Sequence, residues 1–303
     1  MSGSTLVVVS YVLLAIFAVA FLVRSIRLAR LPVHLRWELA PVPHEKGKAH
    51  YGGSYLEEYE WWTKPREKSL VSEFSYMFQE IAFLKAVWEH NRPLWWFSLP
   101  FHNGLYLLIG AAGLLVLGAI LELAGVAALS WTWLRSVILV VGSAGYGLGA
   151  IGALGLLAKR LFDPKLKDFS PPVTVFNLVL LLAMFVTGLW AVASVDYFGG
   201  FSSFFRALLS ADTSIAVPTA LATHLVVGLV FLAYLPFTQM MHFVAKYFTY
   251  HEVRWNDEPL EVGGRMEKKI QKLLNQPVTW GGPHVNADGK KTWVDIATEE
   301  TAK

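Results

Sequence analysis

Residues 223–242 read THLVVGLVFLAYLPFTQMMH. The stretch is almost wholly apolar, yet it carries His224 near one end and His242 at the other. It closes a run, 213–241, that contains no Asp, Glu, Lys or Arg, and four more such runs occupy 2–23, 93–121, 136–158 and 169–195. Each is long enough for the ~20 apolar residues that cross a bilayer. A core helix of a water-soluble protein shows a polar face at helical spacing, and these runs lack one. The pattern predicts an all-α membrane protein, a five-transmembrane-helix bundle with spans near 4–23, 100–121, 136–158, 173–195 and 218–241.

The first run lacks a basic segment before it and is followed by Arg24, Arg27 and Arg30, a stop-transfer pattern that reads as a retained helix. Basic residues also set the orientation. Eleven Lys/Arg fall in 24–92, four in 159–168 and nine in 243–303, while the opposite side carries Arg135 and Arg206. The N-terminus is therefore expected outside, with the long loop and the C-terminus in the cytosol of a multi-pass protein of the cytoplasmic membrane. Trp95 and Trp96 are expected at the inner interface, Trp131 and Trp133 at the outer one. The net charge of +3 reports this topology and gives no sign of nucleic-acid binding, because nine acidic residues balance the loop 24–92.

The chain divides into span one (1–23), a cytosolic loop with an amphipathic helix (24–99), a four-span core (100–242) and a cytosolic tail for partner docking (243–303). Residues 70–90, LVSEFSYMFQEIAFLKAVWEH, place apolar side chains at helical spacing and predict that amphipathic helix. A short helix is expected over 265–274, followed by an extended piece containing tryptophan. Cysteine is absent, so this chain holds no iron–sulfur cluster through thiolates and no covalently attached haem.

An unbroken helix advances ~1.5 Å and ~100° per residue, so eighteen residues would set His224 and His242 on one face, ~27 Å apart. That is close to the ~30 Å depth of the hydrocarbon core. Ionisable groups within membrane helices default to a functional reading. His102 begins the second span, which runs from inside to outside, whereas the fifth runs from outside to inside. His102 and His242 are thus expected at one depth on the cytosolic side. Two neutral imidazoles from antiparallel helices are a standard grip on a b-type haem, and a pair of core histidines is the alternative. Gly104 and Gly228 are the small residues that would leave room for a macrocycle. His224 marks an outer position, suited either to a second haem or to a quinone headgroup, menaquinone being one candidate. Met184 is the single thioether at plausible depth, though ordinary packing accounts for it. Arg92 and Lys246 lie where they could meet propionates or anchor at lipid headgroups. The other histidines, at 34, 44, 50, 90, 251 and 284, sit in charged stretches without zinc-helix spacing. In the run GSAGYGLGAIGALG (142–155), Gly145 and Gly149 form a small-xxx-small pair that permits close helix contact.

The segment HLVVGLVFLAYLPFTQMMH resembles the fifth helix of the membrane cytochrome b (gamma) subunit of respiratory nitrate reductases, and FHNGLYLLIG resembles the start of that family's second helix. The resemblance spans roughly 100–245. It implies haem b, with His102 and His242 as ligands of the inner haem and His224 as a ligand of an outer one. It also implies a partner histidine ten residues beyond His102, where this chain has Ala112. The flanks HLRWELAPVPHEKGKAHYGGSYLEEYEWWTKPREKS and PVTWGGPHVNADGKKTWVDIAT are similar to gamma-like subunits that accompany heterodisulfide-reductase-type iron–sulfur proteins, as in the tetrahaem cytochrome c membrane complexes of sulfate reducers. That similarity implies a cytosolic iron–sulfur partner and an extracytoplasmic multihaem cytochrome c. The expected function is a conduit between a quinone pool, or that cytochrome, and the iron–sulfur subunit. A haem-free membrane anchor or transporter subunit is the rival, but a transporter usually places Asp, Glu, Lys or Arg inside the membrane, and here the interior offers only histidines.

Overall fold

The computed structural model of the chain describes residues 2–31, 45, 57–65, 69–249, 260–281 and 285–299. The aromatic-rich stretch 32–56, apart from Glu45, and His34, His44, His50, His251 and His284 lie outside the described residues. Among the described residues the helices dominate, and Pro277 and Thr292 form an isolated antiparallel bridge.

Among the described residues, five helices are long and apolar enough to cross a membrane: α1 (Gly3–Ala29), α4 (Arg92–Leu123), α5 (Thr132–Phe162), α7 (Pro172–Ser194) and α9 (Thr219–Tyr234), the last extended by a 3-10 turn to Phe237. They coincide with the five uncharged runs. Between them lie α2 (Leu70–Ala82), α3 (Lys85–His90), α6 (Pro164–Lys167) and α8 (Tyr197–Ser210). After α9 come α10 (His242–Ala245), α11 (Arg265–Leu274) and α12 (Trp293–Thr298).

The chain forms two compact units, one of residues 1–21 and 77–239, the other of 22–76 and 240–303. In the first, α4 packs along α5, α5 along α7, and α7 along α9. No comparable packing joins α4 directly to α9; α8 instead contacts both of them, at the end of the unit where α4 stops and α9 begins. The contact between α4 and α5 is glycine-driven. A Cβ added to Gly104 would stand 2.5 Å from the Gly149 nitrogen and 2.7 Å from the Gly145 carbonyl oxygen. Further along, Gly152 faces the Phe101 backbone and Gly155 faces the Phe97 ring. The small-xxx-small pair is thus a helix contact, as its spacing predicts. Gly104 serves the same contact, so its small size is used for packing rather than for a macrocycle.

The predicted amphipathic helix breaks into α2 and α3 at Leu84, whose φ of 50° lies in the left-handed region that interrupts a helix. Helix α8 was not foreseen. Its first turn is capped by Asp196, which accepts from the Gly199 amide (3.2 Å) and pairs with Arg135 (3.0 Å). Arg206 pairs with Glu122 (3.1 Å). The two basic residues assigned to the outer side are therefore both matched by acids. Aromatic side chains on one face of α8, Tyr197, Phe198, Phe201 and Phe204, are buried.

The fifth span departs most from expectation. It is not one helix through 241. Pro236 has no N–H to give the carbonyl four residues back, the backbone tightens to a 3-10 turn over Leu235–Phe237, and Thr238 is extended (φ −116°, ψ 172°). A second 3-10 turn, Gln239–Met241, precedes α10. The one-face relation of His224 and His242 was derived for an unbroken helix, and the fifth span is not one.

In the second unit, α11 begins and ends where the sequence places it, at 265 and 274. The following extended piece pairs Val278 with Lys291 (2.9 Å) and then enters α12 through a reciprocal cap between Thr292 and Asp295. Trp280 lies in the extended part and Trp293 opens the helix.

Candidate functional site

His102 lies ten residues into α4, two residues after Pro100. The missing N–H of Pro100 removes one intrahelical bond to the Trp96 carbonyl and loosens the turn before the histidine. The Nδ1 of His102 is 2.7 Å from the Ser98 carbonyl oxygen. A carbonyl only accepts, so Nδ1 carries the proton and the ring's lone pair is on Nε2. This tautomer is the one a metal-ligating imidazole adopts when its other nitrogen is held by the backbone. The ring meets Phe101 edge-on at 5.2 Å, and Phe101 in turn meets Phe185 of α7 at 6.1 Å.

Asn177 is buried near the start of α7, toward the end of the unit where α4 begins and α9 stops. Tyr234 donates to its Oδ1 at 3.0 Å, while its Nδ2 has no hydrogen-bond partner. A buried amide donor without an acceptor is costly and is the type of group that the carboxylate or carbonyl of a bound cofactor satisfies. On α9, a Cβ at Gly228 would meet nothing within 4 Å. These features, with the sparse packing between α4 and α9, fit a flat group ligated from His102.

His242 belongs to the other unit, where it is exposed at the start of the four-residue α10. Lys246 follows that short helix in the same unit. Arg92 stacks its guanidinium 4.6 Å over the Trp88 ring, and Trp88, Trp95 and Trp96 contact one another edge-on. This is the belt arrangement expected of an interface anchor.

His224 is surrounded differently. Its Nε2 is 2.7 Å from the Tyr146 hydroxyl of α5, and its Nδ1 is 3.2 Å from the Thr187 hydroxyl of α7. Tyr146 also bonds the Tyr197 hydroxyl of α8 at 2.7 Å. Tyr146 and Phe201 stand edge-on to the imidazole at 5.1 and 5.8 Å. Met184 is a buried packing residue of α7. Ala112 on α4 is exposed, whereas Ala111 is buried. Sequence reasoning missed Tyr146, Thr187 and Tyr197 because it looked for metal ligands. The available signal was a tyrosine in the middle of a glycine-rich membrane span, since a phenol there needs a partner.

Among the described residues no cluster of three or more His, Cys, Asp or Glu could hold a bare metal ion. A haem iron needs fewer protein ligands, because its macrocycle supplies the remainder. Comparison with known proteins gives a match to the family model described as nitrate reductase gamma subunit over residues 86–256, more than half of the chain. A search of the curated proteins found no match.

Proposed function

Because this chain belongs to the nitrate reductase gamma subunit family, whose members are haem b-binding membrane subunits of respiratory oxidoreductases, we propose that it is the membrane cytochrome b of a respiratory complex. Its role is to pass electrons between a quinone pool, menaquinone being one candidate, or an extracytoplasmic multihaem cytochrome c and a cytosolic iron–sulfur subunit of the heterodisulfide-reductase type. His102 and His242 are proposed as the axial ligands of a haem b on the cytosolic side of the cytoplasmic membrane.

The observation that carries this reading is the His102 imidazole. Its proton is fixed on Nδ1 by the Ser98 carbonyl, the tautomer in which Nε2 is the nitrogen that can ligate iron. The orphan amide of Asn177 adds a donor for a polar edge. When bound, the haem supplies one-electron chemistry. The chain supplies axial nitrogens, a low-dielectric surround and hydrogen bonds, the levers that set a haem's potential. Separate cytosolic clusters agree with the complete lack of cysteine. The experiment is a dithionite-reduced minus oxidised spectrum of the purified full chain: a b-type α-band is expected, and a featureless visible spectrum returns the chain to the class of haem-free anchors or transporters.

The proposed orientation places the N-terminus outside and the C-terminus in the cytosol, as the basic residues indicate. The absence of native cysteine makes a direct check clean. Thr213 and Lys167 are both exposed and lie in opposite connections of the first unit. In intact cells, a membrane-impermeant maleimide is expected to label Thr213→Cys and to leave Lys167→Cys untouched until the cells are opened. The reverse labelling would invert the topology.

A further inference from the structure

The geometry around His224 points to a different occupant for the outer position. We propose that no second haem binds there: Tyr146, Tyr197 and the aromatic face of α8 fill that space, and His224 is a middle link, accepting at Nε2 and donating from Nδ1, in a buried hydrogen-bonded chain linking α5, α7, α8 and α9. This inference rests on the reading of the chain as a haem-binding subunit and concerns its stoichiometry and the role of His224.

The direction of each bond follows from counting protons. The Thr187 hydroxyl has one hydrogen and lies 2.7 Å from the Ala183 carbonyl oxygen and 3.1 Å from that of Met184. Carbonyls only accept, so that hydrogen is used within α7. The contact with His224 therefore has Nδ1–H donating to Thr187 Oγ1 at 3.2 Å. With the proton on Nδ1, Nε2 is the acceptor, and the Tyr146 hydroxyl donates to it at 2.7 Å. Tyr146 has then spent its hydrogen, so the Tyr197 hydroxyl donates to Tyr146 at 2.7 Å. The chain runs from Tyr197 to Tyr146 to His224, and from His224 through Thr187 to the Ala183 carbonyl.

An iron at His224 would use the Nε2 lone pair that Tyr146 now holds. Both phenols would then lack their acceptor sequence in a region that offers no water, because Tyr146, Tyr197 and His224 are 4, 5 and 6% exposed. The space is also occupied. The Tyr146 ring lies against α7, where a Cβ built on Gly188 would stand 2.3 Å from it, and the Tyr197 ring stands 4.0 Å from a Cβ built on Gly142 of α5. Helix α8 contacts both α4 and α9, closing at the outer end the interval that these two helices leave between them. Position 112, where the family resemblance requires a second histidine, is an exposed alanine. Four observations of different kinds thus agree: the engaged lone pair, the filled volume, the intervening helix and the missing partner ligand.

The test is the ratio of haem b to polypeptide in the purified full chain, by pyridine haemochrome against quantitative amino-acid analysis, for the natural sequence, His224→Ala, His224→Gln and Tyr146→Phe. One haem per chain is expected in the natural protein, unchanged in every variant that accumulates. Tyr146→Phe removes a single oxygen and keeps the ring, so it reports even if His224→Ala fails to fold; it is expected to retain full haem and to unfold at lower temperature. Two haems per chain, or loss of half or more of the haem in a folded His224 variant, overturns the inference alone. A natural chain with no haem at all overturns the parent reading and this inference together.

Discussion

His102→Ala is expected to yield a chain that still inserts in the membrane but has lost its b-type absorbance. The imidazole is half-buried on α4, and the alanine variant keeps a good helix former at that position, so insertion and helix packing are preserved. What disappears is the axial nitrogen. Even outer-shell partners of metal ligands are worth about 10–100-fold in affinity, and loss of a ligand itself is expected to reduce bound haem by at least that much. His242→Ala is expected to give the same spectrum, since removing either axial ligand should release the same group. Haem content per chain, with membrane insertion checked by flotation, separates loss of the ligand from loss of the protein. A His102→Ala chain with a full α-band would show that the ligand is elsewhere.

Gly104→Ala is expected to be strongly destabilising in the bundle core. The added Cβ would meet Gly149 N at 2.5 Å, with Gly145 O and Gly149 Cα each at 2.7 Å. All three are backbone atoms, so no side chain can swing away and α4 must separate from α5. Overpacking typically costs about 1–3 kcal/mol, and a backbone-to-backbone clash belongs at the upper end. Gly110 on the same helix supplies the control, because a Cβ there meets nothing within 4 Å. Gly110→Ala is expected to be neutral or to stabilise by up to about 1 kcal/mol through helix propensity. Thermal unfolding in detergent, followed by loss of soluble monomer, checks both. Equal effects of the two substitutions would mean that the α4–α5 contact is not glycine-limited.

The five spans were legible because the uncharged runs are long, and a bilayer demands such runs irrespective of tertiary context. Gly145 and Gly149 were legible for a related reason: spacing on one helix is local information. The partner of that pair was not. Gly104 was read as room for a cofactor because nothing in the sequence says which helix α5 meets. The fifth span was over-extended because its apolar character continues past Pro236, while the backbone breaks at Thr238; hydropathy is blind to a lost hydrogen bond. Helix α8 was missed since its apolar face, Tyr197 through Phe204, is short and lies between two strong membrane signals. At the candidate site the histidines stood out by their rarity among apolar residues. The surroundings of His224 did not, because Tyr146, Thr187 and Tyr197 come from three other helices separated in sequence by tens of residues. His102 was legible as a residue, but the Ser98 carbonyl that fixes its tautomer belongs to the fold.

The central claim is that one haem is held by two imidazoles of this chain. Near-infrared magnetic circular dichroism of the oxidised, purified chain tests it most directly, since the porphyrin-to-iron charge-transfer band reports the axial pair and its intensity reports the amount. The expected result is a low-spin ferric band of the bis-imidazole type equal to one haem per polypeptide, absent from His102→Ala. A band of the histidine–methionine type, a high-spin signal, or a bis-imidazole band that survives both His102→Ala and His242→Ala would contradict it.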